Sequence, residues 1–141
     1  MNNYLNNNPT SFRNAFGMAA CLFFFLILSA CTTPPNNGDL DGQWQVMEIK
    51  TIKSGKITKP KKMYYAFGQT IMHLRQVGAG TSTGNMHYYG DSIHIDLPFA
   101  NAQTADRFGM DSVKTVFAVD VLTKETLCIH GKKYSLNCRK F

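Results

Sequence analysis

From residue 41 to residue 141, apolar and polar side chains alternate in short runs broken by Gly, Asn, Asp and Lys. Successive side chains of an extended strand point to opposite faces, so a period of two marks strands with one buried face. The pattern predicts eight strands, at 43–53, 62–68, 70–77, 84–89, 92–97, 113–122, 125–130 and 133–140. The one long connection is 98–112 (PFANAQTADRFGMDS), where a short helix is expected near 103–108.

The hairpins can be registered by their turns. A two-residue turn at Gly90-Asp91, with Gly first, sets Tyr88 opposite Ile93 and Met86 opposite Ile95, and turns His87, His94 and Asp96 outward. A turn at Gly131-Lys132 sets Ile129 opposite Tyr134 and Leu127 opposite Leu136, with Cys128, Ser135 and Asn137 outside. Along 113–122, Val113, Thr115, Phe117, Val119 and Val121 are expected inside, against Lys114 and Asp120. A sheet with one apolar face must bury it. An eight-stranded antiparallel up-and-down barrel does so and removes free edges; a two-sheet sandwich is the competing all-β arrangement.

Ahead of this region lies a different pattern. Ala15 to Leu28 (AFGMAACLFFFLIL) is uncharged and 14 residues long, short of the ~20 that a membrane-spanning helix needs. Arg13 precedes it and Ser29-Ala30 follow, which is the layout of a secretory signal. The four residues Leu28-Ser29-Ala30-Cys31 resemble the lipobox of bacterial lipoproteins. That resemblance implies diacylglycerol on the Cys31 thiol and cleavage before it, so that residues 1–30 are a lipoprotein signal peptide. An ordinary signal peptide or an uncleaved anchor helix are the alternatives. Cys21 lies in the apolar core and leaves with the signal. Residues 31–40 are rich in Pro, Asn and Gly and read as a flexible tether, leaving 41–141 as the folded domain.

Charge adds a second feature. Only Arg13 of the 15 Lys and Arg precedes Cys31, whereas all 9 Asp and Glu follow it, so the exported part carries a net +5. Six lysines crowd between Lys50 and Lys62 (KTIKSGKITKPKK). They suit phospholipid head groups or an acidic partner, and equally a solvated loop that keeps strand edges soluble. Export disfavours a nucleic-acid role.

Gly42-Gln43-Trp44 opens the first strand, and Trp44 is the only Trp. This Gly-x-Trp resembles the opening of lipocalins and fatty-acid-binding proteins, in which the Trp plugs one barrel end. The stretches DLDGQWQV, FGQTIMHL, FGMDS and LTKETLCI with YSLNCRKF resemble a group of small lipocalin-like lipoproteins of Bacteroides-type bacteria, mostly without known function. The resemblance covers residues 39–141 and implies a lipocalin-like barrel, but no particular ligand. Full lipocalins carry a C-terminal helix and further signatures on later strands, and this chain departs from that pattern. In those bacteria, surface-exposed lipoproteins often have acids just after the Cys. Here the first acid is Asp39, eight residues on, which tilts the expectation to the periplasmic face of the outer membrane.

Three sets of residues are candidates for chemistry. Trp44, Tyr65, Phe67, Met72, Leu74, Tyr88 and Phe117 are expected in the barrel interior, where they would line a site for a small apolar or amphipathic ligand or simply fill it. A turn around Gly80 would set His73 opposite His87, itself opposite His94, making an outer row of three imidazoles that suits Zn²⁺ or suits a solvated face. Cys128 and Cys138 are expected on opposite faces, as two separate thiols rather than a disulfide. No nucleophile–base constellation, HExxH, CxxC or phosphate loop is present, and Gly78-Ala79-Gly80 has no helix after it. The chain therefore reads as a non-enzymatic lipoprotein with no cofactor. It is either a binder of a small apolar molecule or a filled barrel acting through its loops on an envelope partner.

Overall fold

The computed structural model describes residues 36–141. The expected signal peptide, Cys31 and most of the tether lie outside the described residues. A 3-10 turn at Gly38–Leu40 is followed by β1 (Gly42–Thr51), β2 (Ile57–Thr58), β3 (Met63–Gly68), β4 (Ile71–Gln76), β5 (Gly80–Tyr88) and β6 (Ser92–Asp96). Then come α1 (Ala102–Arg107), β7 (Lys114–Leu122), β8 (Thr126–His130) and β9 (Tyr134–Lys140).

From β3 to β9 each strand pairs antiparallel with the next. The sheet closes because β1 pairs with β3 over Gly42–Gln45 on one edge and with β9 over Trp44–Thr51 on the other. The result is an eight-stranded antiparallel barrel, not a sandwich. Closure leaves no long free edge, which is the physical reward for curling the sheet. The short β2 is the one unexpected strand. It folds back on β1, Ile57 opposite Lys50, beyond the point where β3 diverges.

Two bulges shape the wall. Register shifts between Val46 and Glu48 on β1, so Val46 and Ile49 both reach the core while Met47 lies outside. A second shift between Val119 and Val121 on β7 corrects the expected alternation there. Thr115 and Phe117 face inward, but the extra residue turns Val121 out to 42% exposure and points Leu122 toward the core. An extra residue in one strand reverses every later side chain.

Two hairpin registers also differ from the sequence reading. Ile129 lies opposite Leu136, and Leu127 opposite Cys138, because the β8–β9 turn centres on Lys132-Lys133. Its neck is the Gly131 N–H to Tyr134 carbonyl bond of 2.8 Å. On β4–β5, His73 lies opposite Thr83 and Gln76 opposite Gly80, so the turn is Val77–Ala79, with Gly78 at φ 83°. Both displacements are by an even number of residues, so inward and outward faces survive. The β5–β6 hairpin has the expected register, Tyr88 opposite Ile93 and His87 opposite His94.

Both barrel ends are closed from the side of the core. At the end where β1 begins, Leu40 is buried and its carbonyl accepts a 2.8 Å bond from Trp44 Nε1. The opposite end is covered by the 97–113 connection, which buries Leu97, Ala105, Phe108 and Met110. Asn101 caps α1 by accepting from the Thr104 N–H at 2.8 Å, as an Asn before a helix should. Gly109, at φ 72°, lets the chain pass close against Ile49 and Leu136.

Candidate functional site

Trp44, Tyr65, Met72, Leu74 and Phe117 are all 0% exposed, and Phe67 is 3% exposed. A side chain with no surface reachable by water adjoins no void of that size, so these groups pack on one another and fill the barrel. Tyr88 is half-buried against this core, and its hydroxyl donates to the Gly90 carbonyl at 2.8 Å.

The covering connection is pinned by polar contacts. The Tyr65 hydroxyl, deep in the core, donates to the Phe108 carbonyl. Burial raises the Tyr65 pKa well above the usual phenol value, helped by nearby Cys138. The Tyr134 hydroxyl donates to the Asp106 carboxylate, and that bond holds its pKa at about 12. Arg107 reaches the Ala79 carbonyl of the β4–β5 turn at 2.6 Å. Asp111 accepts the backbone N–H groups of Lys132 and Lys133 at 2.6 and 2.7 Å, tying the cover to the β8–β9 turn. The sequence signal for this cover was the pair of apolar residues Phe108 and Met110 late in the connection.

The imidazole row does not form. His73 bonds the Thr83 hydroxyl at 2.9 Å, and Thr83 lies four residues along β5 from His87, a separation of about 13 Å at strand rise. His87 and His94 do face each other on the outer wall. They border an open groove of about 370 Å³ lined also by Asn85, Asp96, Lys114 and Val116. An Asp96–Lys114 ion pair of 3.1 Å flanks it, and the Tyr89 and His94 rings meet edge to face with centroids 4.9 Å apart. Among the described residues, no three His, Cys, Asp or Glu groups converge as a metal site would require.

Cys128 and Cys138 are free thiols on opposite faces. Cys138 is buried in the core, and burial pushes its pKa up to about 12. Cys128 is half-buried, which raises its pKa as well. Neither is an activated nucleophile.

The lysines between Lys50 and Lys62 are all exposed, around the β1–β2 hairpin and the approach to β3. Lys59 pairs with Glu48 at 3.2 Å. Ile52 and Ile57 stand among them, 46% and 53% exposed.

The family described as "Lipocalin-like domain" matches residues 26–141. The chain is similar to the crystal structure of a lipocalin-like protein from Bacteroides uniformis. That likeness has 27% identity and a TM-score of 0.63, covering 74% of this chain and 100% of that one. An uncharacterized protein from Bacteroides eggerthii shares the fold at 21% identity and TM-score 0.58, covering 72% of this chain and 99% of that one. No match was found among curated proteins.

Proposed function

The chain belongs to the lipocalin-like domain family, and from that premise we propose that it is a lipid-anchored envelope module that binds its partner on the outside of the barrel. One observation carries this reading: the five central side chains Trp44, Tyr65, Met72, Leu74 and Phe117 have no exposed surface. A small-molecule site buries most of its ligand in a cleft of a few hundred Å³. Around these five residues that volume is occupied by the protein's own side chains. What stays open is the outer wall, with its His87–His94 groove, and the lysine-rich hairpin.

Anchoring follows from Leu28-Ser29-Ala30-Cys31, with acyl chains on Cys31 and residues 1–30 removed. Two or more chains make such attachment stable. The late first acid, Asp39, favours the periplasmic face of the outer membrane. The role in this reading is recognition at the outer wall.

Titration of the purified protein with a long-chain fatty acid tests the central point. Emission from Trp44 should stay unchanged at saturating ligand. A stoichiometric, saturable change would overturn the filled-barrel reading and restore an interior ligand. The mass of the protein extracted from membranes tests the anchor: it should fit a chain that starts at Cys31 and carries acyl groups. An unmodified chain that retains residues 1–30 would overturn it.

A further inference from the structure

The tether leaves at one end of the β1–β3 wall, and the lysine hairpin stands at the other end of that same wall. Asn37, next to the first described residue, donates its side-chain amide to the Gln69 carbonyl at 2.8 Å, at the β3–β4 turn. The chain toward Cys31 therefore leaves beside β1 and β3. Only four residues lie between Cys31 and Asn36, and the five steps reach about 17 Å at full extension. A domain on so short a leash is held against the bilayer, and one of its surfaces must face it.

Charge selects the surface. The outer side of β1, β2 and the approach to β3 carries six exposed lysines from Lys50 to Lys62, with Glu48 the one acid beside them. Met47, Ile52, Ile57 and Phe141 are the exposed apolar groups on the same side, and Phe141 packs edge-on against Tyr64 with ring centroids 5.2 Å apart. An upright barrel would instead press its tether end on the membrane. That end holds Asp39, Asp41, Asp91, Asp120 and Glu125 against Lys124, Arg139 and Lys140. Lysines with interspersed apolar side chains suit an anionic lipid surface, and an excess of acids does not.

We propose that the barrel lies on its side, with the β1–β2–β3 wall and its lysines docked on the anionic phospholipid surface of the membrane that holds its lipid. The β6–β7 wall, four strands away around the barrel, then faces away with the His87–His94 groove open to a partner. This inference rests on the lipid-anchored reading above.

Amine footprinting of the lipidated protein reconstituted in vesicles tests it. In vesicles containing phosphatidylglycerol, acetylation of Lys53, Lys56 and Lys59 should slow roughly threefold or more relative to zwitterionic vesicles, while Lys114 and Lys124 react equally in both. With Lys53→Gln and Lys56→Gln combined, protection of the remaining Lys59 and Lys61 should be lost. Protein that stays with the vesicles but labels equally at all these lysines overturns the side-on docking and leaves the anchor standing. Protein that does not stay with the vesicles overturns the anchor, and the docking with it.

Discussion

Lys140 Nζ sits 4.3 Å from the centroid of the Trp44 ring, sealing the plug at the tether end of the barrel. The same ammonium donates to the Asp39 carbonyl at 2.8 Å and to the Asp41 carbonyl. The indole thus has a cation on its face and a carbonyl on its N–H, and the last strand is locked to the first.

This plug should be measurable by thermal or urea unfolding. Trp44→Phe keeps most of the apolar volume but leaves the buried Leu40 carbonyl without its donor, and should cost about 1–3 kcal/mol. Lys140→Met keeps the stem but removes the cation and its carbonyl bonds, with an expected loss of about 1–2 kcal/mol. Wild-type stability in both variants would mean the contacts contribute nothing.

Gly84 is enclosed. A Cβ there would fall inside the radius of the Asp96 carbonyl oxygen and reach Leu97 Cδ2 at 2.5 Å. Backbone cannot yield as a flexible side chain can. Gly84→Ala should therefore destabilise by about 1–3 kcal/mol or more, read as a lower urea midpoint. Gly68→Ala is the control, since a Cβ there meets nothing within 4 Å.

Alkaline pH should loosen the covered end. The Tyr134 pKa is raised from 10 to about 12 by its bond to Asp106. A folded-state pKa above the unfolded one means that the stabilisation is complete below pH 10 and fades as pH rises through about 12. Tyr134→Phe should cost about 1 kcal/mol at neutral pH and flatten this decline. If the slope of stability against pH between those values is the same in the variant, Tyr134 does not couple to it.

Thiol reactivity should separate the two cysteines. At mildly alkaline pH the half-buried Cys128 should be alkylated first, and Cys138 should react only as fast as the barrel opens. Equal rates, or recovery of a Cys128–Cys138 disulfide from the folded protein, would contradict the placement of the pair on opposite faces.

Filling of the interior can be probed by emptying part of it. Leu74→Ala should cost about 2–5 kcal/mol, the transfer term plus the cavity left behind. A cost under about 1 kcal/mol would mean that the neighbouring side chains are not tightly packed.

Strand positions were legible because side-chain alternation is local. Inward or outward orientation depends only on parity along one strand, and burial of one face imposes it. So Met72, Leu74, Met86, Ile93, Ile95, Leu127 and Ile129 could be assigned to the core from the sequence, as could the outward His87 and His94. Glycine at the first turn position also set the β5–β6 register, since Gly90 takes φ 88° there.

Register elsewhere belonged to the tertiary structure. Whether His73 meets His87 or Thr83 depends on which residues of a Gly-rich turn bend, and several choices keep the same parity. Parity cannot tell them apart, but packing across the closed barrel can. The bulges at Met47 and Asp120, the back-folded β2, and the cover formed by Phe108 and Met110 have the same origin. Each answers a demand that arises only when eight strands close into a ring with two mouths to fill. The alternating chain alone dictated which side chains seek the centre; the closed ring decided which neighbours they meet and left no room among them.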